Sequence, residues 1–333
     1  MPLDAAHPRL PAFADVEDAA VRLQGHAVRT PLIESPALNA RVGGRVLLKP
    51  ETLQVSGSFK FRGAYNRISR LTEDERPRGV VAYSSGNHAQ GVAAAAKIMA
   101  TPALIVMPSD APAVKVAGVR AFGGEVRSYN RWTESREAIG AEIARERGSA
   151  LVPPYDDFHV IAGQGTVGLE LAEQAQALGA HLDEVYCGAS GGGLIAGIGL
   201  SLEALSPGTA LYVVEPEAYD DHRRSLAAGE RTPHEKGAAS ICDALMAPTP
   251  GEITFPITRE RLKGAVGVSD AEVAEAMRYA FSTLKLVVEP GGAVSLAALL
   301  AGKIDAKGKT LGVVLSGGNV DPALFARILA GEL

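Results

Sequence analysis

The stretch VSGSFKFRGA, residues 55–64, sets Lys60 between two phenylalanines, just after the small residues Ser56, Gly57 and Ser58. A lysine that serves only solubility needs neither aromatic walls nor that much room. An amine desolvated beside aromatic rings favours its neutral form, and the neutral form is the nucleophile that condenses with an aldehyde. Taken alone, the same stretch also describes a surface lysine whose stem covers apolar neighbours.

A second loop narrows the choice. Ser190-Gly191-Gly192-Gly193-Leu194 lies between a strand-like EVYCGA and a helix-like LIAGIGLSLEAL. Glycines at such a junction let backbone N–H groups approach a phosphate, which then sits at the positive end of the helix. No Walker lysine follows, so a nucleoside triphosphate is not expected. Gly191, Gly193 and Ala196 also satisfy GxGxxA, with Glu215 ending a later strand, and this dinucleotide fingerprint of an oxidoreductase is the rival reading. If the phosphate belongs to pyridoxal phosphate, lysine and glycine loop share one explanation, with Phe59 against the pyridine ring. Ser84-Ser85-Gly86-Asn87-His88 adds hydroxyls, exposed amides and a side-chain amide, suited to the cofactor's phenolic oxygen and to a substrate carboxylate. It would also serve as a plain capped helix start. Ser316-Gly317-Gly318-Asn319 supplies another hydroxyl and close-approach glycines.

The elements that hold these loops alternate between strand and helix. DVEDAAVRL has helical spacing with Asp15 as N-cap, and RVLLKPE (45–51) reads as a strand stopped by Pro50. Ser58 is placed to cap a helix running through Ile68. GVVAY, the polar turn, HAQGVAAAAKIMA and PALIVMP make a strand–turn–helix–strand unit, repeated from EVYCGA to TALYVVEP. TLGVVLSGG is a last strand, and DPALFARILAGEL a closing helix. The pattern predicts open parallel sheets with ligands beyond the strand carboxyl ends, where all of these loops lie. Pro153-Pro154 marks the return from a smaller lobe to a larger one.

Composition excludes other classes. The 333 residues are 47% hydrophobic, enough for two lobes. The net charge of −5 is interleaved, which argues against a nucleic-acid or anionic-membrane surface. Cys187 and Cys242 form no CxxC, so neither a structural zinc nor a disulfide framework is expected. GVAAAAKIMA is broken by Lys97 and falls far short of the roughly 20 residues of a membrane span. MPLDAAHPRLPAF has no signal-like core, so a soluble protein of the cytoplasm is expected.

VSGSFKFRGA, SSGNHAQG, IAGQGT (161–166), SGGGLIAG, KLVVEPGGA and SGGNVD occur in the order found in the threonine/serine dehydratase–serine racemase family, which the chain resembles from about Val28 to Asp321. The resemblance implies an α/β fold of the tryptophan synthase β-like kind (fold type II pyridoxal phosphate enzymes). Two open parallel-sheet lobes would hold the active site between them, with residues 1–78 and 156–333 in the larger domain and 79–155 in the smaller. It implies that Lys60 binds the cofactor covalently and then acts as the base at Cα. Phe59 would pack on the ring, Asn87 would meet the phenolic oxygen and Ser316 the ring nitrogen. Ser190, Gly191, Gly192, Gly193 and Leu194 would hold the phosphate. Ser84, Ser85 and His88 would take the substrate carboxylate. A neutral serine at the ring nitrogen weakens the electron sink, which favours fast loss of a β-leaving group over transamination.

The implied activity is a dehydratase, or ammonia-lyase, acting on L-serine or L-threonine. The alternatives on the same scaffold are 3-hydroxyaspartate, with Arg136 of ESRE as the cation for a second carboxylate, and serine racemisation. Ser85 motivates the last, because its hydroxyl could reprotonate Cα from the face opposite Lys60. GluProGluAlaTyrAspAsp (215–221) resembles the family's divalent-cation loop, with Glu215, Asp221 and the carbonyl of Tyr219 as oxygen ligands for Mg²⁺ or Ca²⁺. A homodimer or tetramer is implied as well. The chain departs from the family pattern at Ala244, where relatives usually have glycine, and Tyr155 stands in a region that differs between dehydratases and racemases.

Overall fold

The computed structural model describes residues 9–111, 113–235 and 239–333, and its strands form two sheets. The larger, six-stranded sheet runs in the order β1 (Ile33–Glu34), β2 (Arg45–Pro50), β10 (Thr310–Leu315), β7 (Glu184–Gly188), β8 (Ala210–Pro216) and β9 (Leu262–Val268). The smaller, four-stranded sheet runs β5 (Glu125–Tyr129), β4 (Ala103–Pro108), β3 (Val80–Tyr83) and β6 (Ala150–Leu151). Every pairing is parallel except that of β1 with β2. Parallel strands need crossover helices on both faces, and β4 and β10 are accordingly near-continuous apolar runs. Alternation along β2 sends Val46 and Leu48 to one core and Leu47 to the other.

The helix Lys60–Ile68 joins the two halves. Its Phe61, Ala64, Tyr65 and Ile68 belong to the core beneath the smaller sheet, together with Val80, Ala82 and Ile105. Its backbone lies so close to the helix Asn87–Ile98 that a Cβ on Gly91 would come within 3.0 Å of the Lys60 carbonyl carbon. From its other side Arg62 reaches Glu51 and Glu170, on the short helix after β2 and on the helix Phe158–Ala177. All three are buried.

Several local expectations are corrected. The first helix begins at Phe13, so Asp15 is not its N-cap but its third residue, accepting from the Ala12 amide at 2.8 Å. Ser58 does not cap the lysine helix. Its hydroxyl is buried without a partner, and its backbone bridges Gly317. Pro50 closes β2 from inside the strand. Among the described residues no helix is long and apolar enough to cross a membrane.

Candidate active site

A cavity of about 410 Å³ opens where the carboxyl ends of β3 and β7 and the residue after β10 converge, at Tyr83, Gly188 and Ser316. Lys60 and Phe59 line it, as does the loop from Ser84 to His88. So do Ser190 to Leu194 and Arg136. Residues placed near a cofactor or substrate by sequence alone thus share one chamber; Glu215, Tyr219 and Asp221 lie outside its lining.

Lys60 is the first residue of its helix. The N–H of Phe59 donates to the Ser316 carbonyl at 3.1 Å, which ties the lysine to the end of β10. The Lys60 amine donates to the Pro154 carbonyl at 2.5 Å and stands 5.1 Å from the centre of the Phe59 ring. Desolvation brings it down to about 8, against the opposing pull of Glu289. Glu289 is a buried carboxylate in the same wall, pushed up to about 7 by burial. It accepts from Asn87 Nδ2 at 2.5 Å, while Asn87 Oδ1 accepts from Asn319 Nδ2 at 2.8 Å, so the Asn87 amide is held at both ends. Glu289 is visible as a motif residue in KLVVEPGGA, but nothing in the sequence places it beside Lys60.

The glycine loop is built for an anion. Gly192 has φ +93°, a conformation that favours glycine, and caps the helix Gly193–Leu205 without any side-chain hydrogen bond to the first amides. The Gly191 carbonyl is turned away, accepting from Thr254 Oγ1 at 2.6 Å and from the Gly251 amide at 3.0 Å. A Cβ on Gly191 would fall 2.2 Å from the Tyr155 ring, so this bare backbone is also the seat of Tyr155. Ser190 Oγ accepts from the Ala247 amide at 3.1 Å, and the Ser190 carbonyl accepts from His222 Nε2 at 2.8 Å. The uncapped amides suit a phosphate, Lys60 an aldehyde, Asn87 a phenolic oxygen and Ser316 a ring nitrogen. The residues present fit pyridoxal phosphate.

The substrate side is less uniform. His88 is buried and brought down to about 3, chiefly by desolvation and then by the nearby Lys60. Its ring is therefore neutral, and Nε2 commits its proton to the Val152 carbonyl at 2.8 Å. The donors left in this loop are hydroxyls and backbone amides. Arg136 lines the cavity with its guanidinium 5.8 Å from the Tyr83 ring centre and its Nε donating to Glu137 at 2.7 Å. Two further cations, Lys115 and Arg131, share the lining with Asp243. They come from separate elements, and no local pattern announces them.

The acidic loop sits behind the glycine loop. Glu215, at the end of β8, accepts from the amides of His222 and Arg223 at 2.8 and 3.0 Å and so caps the helix Asp221–Ala228. Neither carboxylate oxygen of Asp221 has a partner outside its own residue. Burial pushes Asp221 up to about 7, and burial together with the Asp221 charge holds Glu215 well above the carboxylate range. Among the described residues no group of three or more His, Cys, Asp or Glu is arranged to hold a metal. Two uncompensated carboxylates nonetheless suit a hard cation.

Lysine, cradle and fold together define a pyridoxal phosphate enzyme of fold type II. The chain belongs to the pyridoxal-phosphate dependent enzyme family, whose profile matches residues 23–317. That membership sets aside the dinucleotide reading of Gly191–Ala196. The chain is 47% identical to the L-threo-3-hydroxyaspartate ammonia-lyase of Pseudomonas sp, over 97% of its own length and 100% of that protein's. It is 42% identical to the L-threo-3-hydroxyaspartate ammonia-lyase of Saccharomyces cerevisiae, over 97% and 98%. The crystal structure of T.th. threonine deaminase superposes with a TM-score of 0.88 at 45% identity, covering 93% of this chain and 99% of that one. The chain is a pyridoxal phosphate-dependent lyase.

Proposed function

We propose that this lyase acts on L-threo-3-hydroxyaspartate, removing water and then ammonia to leave oxaloacetate. The observation that carries the substrate is a surplus of positive charge. Arg136, Arg131 and Lys115 line the chamber that holds Lys60, and a substrate with one carboxylate, served by the donors at Ser84–His88, leaves all three unused. Each has a carboxylate partner of its own, but of those partners only Asp243 shares the lining, so cations outnumber anions along the chamber wall and a second substrate carboxylate meets donors there. The 3-hydroxyaspartate relatives support the same reading. Serine and threonine, the default expectation from sequence, become the poorer substrates.

When bound, pyridoxal phosphate supplies the electron sink that makes the Cα proton removable and the β-hydroxyl expellable. Lys60 holds the cofactor at rest and, once free, takes the Cα proton on Nζ; desolvation toward about 8 keeps a useful fraction of it unprotonated. Ser84, Ser85 and the amides after them orient the α-carboxylate. The Gly191–Leu194 amides and the positive helix end anchor the phosphate, and the clamped Asn87 fixes the ring. The enamine set free takes up water and divides into the 2-oxo acid and ammonia. Glu215, Asp221 and the Tyr219 carbonyl would hold a divalent cation, which would supply the counter-charge for the loop whose His222 donates to the Ser190 carbonyl of the cradle.

Steady-state rates with L-threo-3-hydroxyaspartate, L-threonine and L-serine test this. The dicarboxylate is expected to have the highest kcat/KM, and Lys60→Ala to abolish turnover of all three while the far-ultraviolet spectrum stays folded. Higher kcat/KM with serine or threonine would reject the substrate.

A further inference from the structure

We propose that Lys115 is the residue that selects a second carboxylate, held ready by an ion pair with Asp243 that the substrate displaces. This rests on the dicarboxylate reading above and names the group that would enforce it. Lys115 comes from the helix Ala113–Ala121 beside the smaller sheet, and Asp243 from the short helix Asp243–Leu245 packed on the larger. Their side chains meet, and both line the cavity that holds Lys60. Both also act on the buried Glu289, Lys115 lowering and Asp243 raising its hold on a proton, which places the pair within electrostatic reach of Asn87 and the reacting lysine.

The two partners are unequal. The Lys115 side chain is 12% exposed and Asp243 is 53% exposed. A nearly buried ammonium must keep an anion beside it, whereas an exposed aspartate returns to water at little cost. A carboxylate on the substrate's β-carbon can therefore take the place of Asp243 with the charge count around Lys115 unchanged. Arg136 and Arg131 are less suited. They are 40% and 42% exposed, so solvent screens them, and their partners Glu137 and Asp110 stand at the rim on their own side of the cleft. Of these three pairs, only that of Lys115 crosses the chamber.

The two members should act in opposite directions, which no merely structural clasp would do. The readout is the ratio of kcat/KM for L-threo-3-hydroxyaspartate to that for L-serine, with inhibition by malonate against serine as a second measure. Lys115→Met should lower the ratio by roughly 10- to 100-fold, about 1.4 kcal/mol per decade, and weaken malonate. Lys115→Arg should restore part of the preference. Asp243→Asn should raise the ratio a few-fold and tighten malonate, because the competing anion is gone. Parallel losses in Lys115→Met and Asp243→Asn, on both substrates, would show the pair to be a latch between the lobes and overturn the proposal. A wild-type preference for hydroxyaspartate that survives Lys115→Met would overturn it while leaving the proposed function standing. A wild-type protein that ignores hydroxyaspartate but binds malonate with opposite responses in the two variants would reject that function and retain the role of Lys115.

Discussion

Two groups of buried charge flank the site, and they differ in how their charge is compensated. Under the lysine helix, Arg62 and Lys49 face Glu51 and Glu170. Arg62 donates twice to Glu51, at 2.8 Å each, and to Glu170 at 2.6 and 2.9 Å, while Lys49 donates to Glu170 at 2.6 Å and to the Thr30 carbonyl at 2.8 Å. Behind the glycine loop, Glu215 and Asp221 have no such cation among the described residues. Glu51 is fully buried, and desolvation alone would raise it, yet Arg62, Lys49 and Thr30 together hold it below the usual carboxylate range. Asp221, without such pairing, rises to about 7. Burial is common to both; counter-charge decides the outcome. The first group finds its counter-charge within the polypeptide, and the second has none among the described residues.

The contrast breaks most visibly at Arg62. Arg62→Met should strand Glu51 and cost about 3–5 kcal/mol, read as a lowered urea midpoint that neither Mg²⁺ nor Ca²⁺ restores; a wild-type midpoint would mean that the pairing contributes nothing. Next comes the incomplete group. Adding Mg²⁺ or Ca²⁺ to metal-stripped protein should raise the melting temperature by a few degrees, and Asp221→Asn should abolish that response while stabilising the stripped protein. No response in the wild type would remove the cation from the acidic loop. The sign of the pH effect follows. The folded Asp221 carboxyl holds its proton up to about 7 rather than 3.8, so its contribution is fully present below 3.8 and is lost as pH rises toward 7. Stripped Asp221→Asn should lose less stability than wild type across that window in parallel melts.

Lys60 lies between the two cases, a desolvated cation answered only in part by Glu289. Its effect is the smallest and the easiest to read. The rate at which cofactor-free protein captures pyridoxal phosphate should rise with pH and level off above about 8, followed by absorbance. Glu289→Gln, which removes the anion favouring the proton on Lys60, should move that plateau to lower pH. An unmoved profile would detach Glu289 from the lysine.

What can be seen in the sequence divides along the same physical line. Lys60 with its small neighbours, the Ser190–Leu194 loop and the Ser84–His88 turn are contiguous, and each carries its chemistry in its spacing. β4, β7, β8 and β10 are apolar runs that read as buried strands. β5 does not, because EVRSY lies at a sheet edge with mostly exposed residues. Ser58 has the sequence of a cap and not the role, because its surroundings are set by Gly317, a residue far along the chain. Lys115 and Asp243, like Glu289, gain meaning only when separate elements fold against each other. Tyr155 stands out in the sequence, but its seat on Gly191 depends on a backbone contact that no local pattern encodes.

The position of the lysine helix has a mechanical consequence. Its start is stitched to the end of β10 by the Phe59–Ser316 bond and the Ser58–Gly317 bridge, while its apolar side is sunk in the core of the smaller sheet. Because Arg62, two residues on, is also held by Glu51 and Glu170, any rocking of the smaller sheet must be taken up at the apolar face that the helix shares with that sheet's core. The nucleophile thus rides with the sheet that presents the glycine loop, and its distance from that loop is kept if the other sheet moves.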